Sequence, residues 1–374
     1  MIFEYETLKF IWWVIMCLVL IAFAITGGMD IGAHILLPFV GKNDNERRLI
    51  LNSIGPTWEG NQVWLITFGA GMFAVWPIAY ATVFSGLYSA LFIVLFMLIL
   101  RPPGFDYRAK IDSHAWRSVW DLCLLVSGIV LSLVFGLAVG NLFLGLPFHF
   151  DADLHPIYTG SLIDLFSPPA LVFGLVSVCM LTIQGALYLQ YKLQAELAQR
   201  AKQAVHWFGI GFFITFIIAG VLACVWMPGY QIIDIPDINA SFAASQKVVE
   251  HTPVAWLGNY QRFPALWLLP FLALFCTRLA MRYCHYDRPV EGIIMQSMAI
   301  MATLLTAAVA LFPFIAPSNQ DLNHSLTIWD ATASYKTLNI TFWIVLIFLP
   351  IVLCYTAWVY RVMRGKVIIH HDSY

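Results

Sequence analysis

Charge is what this chain has least of. Only 11% of its 374 residues are Asp, Glu, Lys or Arg, whereas an ordinary soluble domain carries about 25%, and 60% are hydrophobic with a mean hydropathy of +0.79. A soluble globular protein is therefore excluded, and no polar stretch is long enough to form a separate aqueous domain of the usual size. Paired cysteines are missing too. The seven that occur, Cys17, Cys123, Cys179, Cys224, Cys276, Cys284 and Cys354, are dispersed through apolar segments without metal-ligand spacing, which predicts free packing residues and no metal site. No phosphate-binding glycine loop, nucleophile elbow or helical metal motif is present, nor any strong internal repeat or low-complexity segment. The first apolar run has no basic region before it and no small-residue cleavage site, so it is expected to be a retained span. The net charge of −1 says little about partners, because the charges are sorted between the two membrane faces; no nucleic-acid partner is expected.

What is abundant is apolar sequence in lengths that cross a bilayer, about 20 residues each. Nine segments qualify: 8–37, 58–76, 78–100, 119–144, 170–191, 205–227, 264–283, 293–315 and 338–362. The second and third are joined tightly at Trp76-Pro77, where the proline favours a short turn. The expected fold is an all-α polytopic membrane protein, a single transmembrane domain over 1–374. Within it, 1–145 forms a first helix bundle, 167–363 a second group of helices, and 228–262 an external loop. Sixteen of the 20 basic residues fall in alternate connections, and the opposite side holds only Lys9, Lys247, Arg262 and Lys336. By the positive-inside rule the N-terminus is periplasmic and the C-terminus cytoplasmic. Beyond Pro313 and Pro317, residues 325–334 read as a polar-aromatic external loop.

One stretch breaks the apolar pattern: Gly55-Pro-Thr-Trp-Glu-Gly-Asn-Gln-Val-Trp-Leu65, which places Glu59, Asn61 and Gln62 at the head of a span. A carboxylate at the edge of hydrocarbon is costly and marks an ion path, a paired group or a helix end. Asp30 lies 22 residues beyond Leu8, about 33 Å along its helix, and so near the same membrane face. Arg101 closes the third span and Asp121 opens the fourth, again at that face. Helices joined by short loops tend to be neighbours, so these four ionisable residues are expected to converge.

Each also has a plainer reading. Pro56 suits a first helical turn and a carboxylate there is favoured by the helix dipole, so Glu59 is either a helix-end stabiliser or a proton relay. Asp30 sits among Gly27, Gly28 and Gly32, glycines that permit close helix approach, and is either a relay or a carboxylate paired with Arg101 or a hydroxyl. Arg101 is expected to snorkel or to pair with Asp121. Asn61 and Gln62 more often tie helices together than bind ligands.

Histidines bear on haem, whose ligation inside a membrane usually needs His, Met or Cys. Of the ten, His114, His149, His155, His251, His285, His324, His370 and His371 fall in loops or tails. Only His34 and His206 lie at span ends, with no facing pair, so no haem ligand is expected on this chain. His34, on the face of Asp30, reads as a surface-seeking side chain in preference to a pH-sensitive partner.

Several long and unusual segments together resemble one family. They are Phe10-Ile-Trp-Trp13, Gly28-Met-Asp-Ile-Gly32, Asn43-Asp-Asn-Glu-Arg-Arg48, Asn52-Ser-Ile54, Trp58-Glu-Gly-Asn-Gln-Val-Trp-Leu65, Arg101-Pro-Pro-Gly-Phe-Asp-Tyr-Arg108, Gly140-Asn141, Gln184-Gly185, Phe312-Pro-Phe314 and Ser325-Leu-Thr-Ile-Trp-Asp-Ala-Thr332. The chain resembles subunit II of the bacterial cytochrome bd-type quinol oxidase. The resemblance implies an inner-membrane complex that oxidises quinol externally and reduces oxygen to water with cytoplasmic protons. Its haem d and b-type haems would be ligated by the partner, subunit I, and a small single-span subunit and membrane lipid would complete the assembly. In this picture subunit II scaffolds subunit I, offers Glu59 and Asp30 to the proton route, and in some members holds a structural quinone. Arg101 and Asp121, with Trp58, Asn61 and Gln62, would be supporting polar or ion-pair residues. The chain departs from the family at Gly27, where an acidic residue is frequent, and at Glu59, where some members carry Asp. The rival reading of the polar set is a proton-coupled secondary transporter, which is expected to place it at the bilayer midplane within an inverted repeat.

Overall fold

A computed structural model describes residues 3–235, 238–239 and 247–367. His370 and His371 lie outside the described residues, as do 236–237 and 240–246 of the expected external loop. The described chain is helical nearly throughout. Its helices are α1 Tyr5–Val40, α2 Asp44–Ile54, α3 Trp58–Val75, α4 Pro77–Gly86, α5 Tyr88–Ile99, α6 Arg101–Asp106, α7 His114–Leu144, α8 Pro168–Lys192, α9 Ala195–Val225, the short α10 Gly258–Arg262, α11 Leu268–His285, α12 Pro289–Leu311 and α13 Tyr335–Val362.

Among the described residues, eight stretches are long and apolar enough to cross a membrane. The difference from the expected nine is α3. Its 18 residues run between the two faces of the bundle, yet the polar first turn with Glu59, Asn61 and Gln62 dilutes its apolar character. The expected span 78–100 is two helices, α4 and α5, meeting at Leu87. The loop after the first span is not extended. It folds into α2, whose N-cap Asn43 accepts from the Glu46 amide at 3.0 Å while a Glu46 oxygen accepts from the Lys42 amide at 2.7 Å. That reciprocal pattern, Asn with Glu three residues later, is the sequence signature of a helix start.

α8 is the most enclosed span, with 72% of its apolar window buried, because α1, α7, α9 and α12 pack around it. Its crossing with α1 depends on two glycines. A Cβ on Gly32 would lie 2.3 Å from the Leu181 carbonyl oxygen, and one on Gly185 2.5 Å from the Ala33 nitrogen, so the backbones touch there. Beside this crossing, Gln184 donates to the Ile25 carbonyl at 3.2 Å. The contact fixes the depth and rotation of α1, and hence of Asp30 two residues before Gly32. α13 is peripheral, with none of its apolar window buried.

The basic connections share one face. Arg200 of α9 reaches Glu46 of α2, Arg108 reaches Asp44, Lys202 reaches Asp287, and Lys192 bonds the Met363 carbonyl. The opposite face is capped by three antiparallel hairpins: β1 Phe148–Phe150 with β2 Pro156–Tyr158, β3 Tyr230–Asp234 with β4 Val248–His251, and β5 Phe314–Ala316 with β6 Leu326–Thr327. The stretch 325–334, expected as a polar-aromatic external loop, lies in this cap and is folded inward as a plug. Ser325, Leu326, Thr327 and Ile328 are fully buried. Asp330 accepts from the Thr327 amide and hydroxyl at 2.8 Å each and pairs with Lys247 at 2.5 Å, while Lys9 of α1 donates to the Trp329 carbonyl. Satisfying these polar groups internally is what lets the segment sit inside the cap. The seven cysteines are unpaired thiols, as expected.

Candidate functional site

On the basic face the polar residues form two separate clusters and one isolated carboxylate. The first cluster is buried between α1, α3 and α13. Asp30 is 1% exposed, and its Oδ2 accepts from Asn61 Nδ2 at 2.9 Å. Asn61 Oδ1 accepts in turn from the Tyr360 hydroxyl at 2.9 Å. One amide therefore ties three helices, the role expected of it. Nearby, the Tyr188 hydroxyl donates to the Ser53 carbonyl at 3.0 Å, fastening α8 to the end of α2.

Arg101 closes this cluster. Its side chain is 2% exposed and lies over the Trp58 indole, 5.6 Å from the ring centroid. Trp58 stacks on Phe105 at 5.1 Å, and Phe105 meets His34 at 5.4 Å. Arg101 lies within electrostatic reach of Asp30, but no ion-pair contact of 4 Å or less joins them among the described residues. Buried polar atoms are left over: Asp30 Oδ1, both His34 ring nitrogens, and Arg101 Nε and Nη2 have no hydrogen-bond partner among the described residues. His34 is not surface-seeking. It is fully buried, because Gly128 of α7 lets that helix close over it and a Cβ there would stand 3.1 Å from His34 Cβ.

The second cluster is built on Asp121 of α7, and it overturns the expected Arg101–Asp121 pair. Asp121 accepts from Arg108 Nε at 2.6 Å and Nη2 at 3.1 Å, and from Arg47 Nη1 at 2.8 Å. Arg108 also contacts Asp44 at 2.9 Å, and Arg117 bridges Asp44 and Asp112 at 3.1 and 2.8 Å. Three arginines and three aspartates thus lock α2, the chain after α6, and α7. Arg108 and Arg47 together take three of the roughly four acceptor positions of this carboxylate, so Asp121 is well satisfied without Arg101. Beside it, Glu46 accepts from Arg200 at 2.7 and 3.0 Å. Hydrogen bonding to Arg200 first, then to the Lys42 and Asn43 groups, holds the Glu46 carboxyl down at about 2.

Glu59 belongs to neither cluster. Two residues from Asn61 is about 200° around a helix, so with Asn61 facing Asp30 the carboxylate faces out of the chain. It is exposed and makes no hydrogen bond or ion pair among the described residues. It heads a stripe of exposed apolar side chains on α3: Val63, Ile66 and Phe73. Gln62 is half-buried with Oε1 unpartnered. Of the expected set, the fold brings Asp30, Asn61, Arg101 and Trp58 together and leaves Glu59, Gln62 and Asp121 apart.

Tyr360, Tyr188, Arg47 and Arg108 are participants that sequence reasoning missed. The tyrosines read as interfacial belt residues, and nothing in a one-dimensional pattern separates the two cases. For Arg47 a signal existed: the Asn43–Glu46 helix start puts Arg47 one turn into a helix anchored over α7.

Comparison with known proteins agrees with this architecture. Residues 8–363 match the model of the family described as cytochrome bd terminal oxidase subunit II. The chain is 42% identical over 364 residues to the Escherichia coli K12 protein named cytochrome bd-I ubiquinol oxidase subunit 2, covering 97% of this chain and 96% of that protein. It is 43% identical over 366 residues to the probable cytochrome oxidase subunit 2 of Haemophilus influenzae, with the same coverage. The bd oxidase structure from Geobacillus thermodenitrificans shares the fold, with a TM-score of 0.70 at 14% identity over 95% of this chain and 98% of that one.

Proposed function

Because the chain belongs to the cytochrome bd terminal oxidase subunit II family, we propose that Glu59 admits protons to the oxygen-reducing partner of the complex and that Asp30 orients the helices behind it. The protein is a membrane subunit of a bd-type ubiquinol oxidase, an oxidoreductase complex whose cofactors include haem. The observation that carries the proposal is the position of Glu59: exposed, unpartnered, and at the head of an apolar stripe. A carboxylate facing lipid alone would be costly, whereas the same stripe against a second chain would place Glu59 at the mouth of the interface. The basic-rich face, assigned to the cytoplasm by the positive-inside rule, puts that mouth on the side where protons are drawn.

The proposal places the haems on the partner chain. His34 is the one buried histidine among the described residues, and its ring lies against that of Phe105, with centroids 5.4 Å apart. Haem d and the b-type haems are accordingly assigned to subunit I, where they supply the redox chemistry. This chain then contributes packing, the Arg47–Arg108–Asp121 lock near that face, and a carboxylate that gains or loses a proton at Oε. The transporter reading is not favoured, since the polar groups stand at one face and the relatives are oxidases.

The test is Glu59→Gln in the intact, haem-loaded complex. Oxygen consumption with saturating quinol should fall by about tenfold or more, towards the ~10²–10⁴-fold loss of a full acid–base group, and Glu59→Asp should restore most of it. An assembled Gln variant turning over at the full rate sinks the proposal.

A further inference from the structure

On the basic face, α9 and α11 diverge and leave a groove of about 710 Å³. One wall is a single stripe of α11, with Arg278, Met281, Arg282 and His285 at i, i+3, i+4 and i+7. The facing wall is a stripe of α9, with His206, Ile210 and Phe213 at i, i+4 and i+7. Gly209 sets the floor: a Cβ there would lie 2.6 Å from Met281 Sδ, so the helices close beneath the groove and stay open above it.

Arg282 lies over the Tyr286 ring, 5.9 Å from its centroid, but no carboxylate among the described residues neutralises the groove. Neither Arg278 nor Arg282 has a carboxylate within 4 Å among the described residues. The carboxylate next in line, Asp287, is taken by Lys202 at 2.9 Å. Arg278 stands seven residues before the helix end, about 10 Å below His285 along the axis, at the level of Phe213. An exposed guanidinium at that depth beside apolar side chains calls for an anion that can itself enter the bilayer edge. Exposed Trp207 and Tyr286 flank the site, aromatic rings of the kind that sit at headgroup level.

We infer that this groove binds an anionic phospholipid, its phosphate between Arg278 and Arg282 and an acyl chain along Ile210, Phe213 and Met281. The chemistry that recognises it is a phosphate joined to hydrocarbon: two guanidinium groups meet the charge and the apolar wall meets the chain. A free phosphate would use only half of the site.

The test is native mass spectrometry of the delipidated, purified complex titrated with phosphatidylglycerol, with phosphatidylcholine of the same chain length, and with inorganic phosphate. Phosphatidylglycerol should bind, phosphatidylcholine should bind at least tenfold more weakly, and phosphate should not displace the lipid at equal concentration. Arg278→Gln and Arg282→Gln should each weaken phosphatidylglycerol about fivefold, the worth of one basic side chain near an anionic surface. Equal binding of the two lipids, or phosphate competing as well as lipid, overturns the inference. So does unchanged binding in the double variant. The comparison of ligands on the unmodified complex stands even where a variant fails to assemble.

Discussion

Asn61 Nδ2 donates to Asp30 Oδ2 at 2.9 Å inside the helix bundle, and the same amide accepts from Tyr360. A single side chain in the polar first turn of α3 therefore holds the first and last long helices of the chain. The second oxygen of Asp30 and two nitrogens of Arg101 have no hydrogen-bond partner among the described residues, so the amide is the bond that ties Asp30 to a neighbouring helix. Removing it exposes the full desolvation cost of what it satisfies.

Asn61→Ala should accordingly destabilise the subunit by about 1–3 kcal/mol, combining a buried carboxyl acceptor left bare with a lost tie to α13. Asp30→Asn should cost less, since an amide oxygen still accepts from Asn61. Thermal inactivation of the purified complex, followed by retention of the haem spectrum, measures both. The ordering would be wrong if Asp30→Asn proved the more damaging of the two.

The pairing of Asp121 can be measured as a coupling. In a double-mutant cycle, Asp121→Asn with Arg108→Gln should show an interaction energy of about 1–3 kcal/mol, because the two groups share a two-pronged contact. Asp121→Asn with Arg101→Gln should be additive within about 0.5 kcal/mol. Denaturation of the four variants in each cycle gives the numbers. Strong coupling to Arg101 would restore the pairing that the sequence suggested.

The contact between Glu46 and Arg200 should be sensitive to acid. Hydrogen bonding to Arg200 lowers the folded carboxyl to about 2, below its ordinary value near 4.3. A depressed carboxylate contributes stability that is fully present above the unfolded value and is lost as pH falls through the folded one. Glu46→Gln should therefore cost about 1 kcal/mol at neutral pH. Its disadvantage against the unmodified chain should shrink between about pH 4.5 and pH 2. Melting temperatures of both complexes at pH 7, 5, 4 and 3 report this. A constant gap across the series would rule it out.

Composition by itself determined that this is a helical membrane protein, and the spacing of Lys and Arg determined which connections share a face. Those properties are sums along the chain and survive without knowledge of contacts. The motif segments carried the family, and the Asn61 tie was legible as a polar amide in a span. The partners of the charged groups were not legible. Hydropathy fixes how far a residue lies along a span but not which way the helix is turned, because lipid and protein interior accept the same apolar side chains. The Gly32–Gly185 contact sets that rotation for α1, burying Asp30 and, through Gly128, His34. The fold of α2 brings Arg47 over α7, and Arg108 follows, so Asp121 is filled before Arg101 can reach it. Glu59 and Asn61, two residues apart, were bound to face opposite ways. Only the packing of Asn61 against Asp30 decided that Glu59 would be the one turned outward.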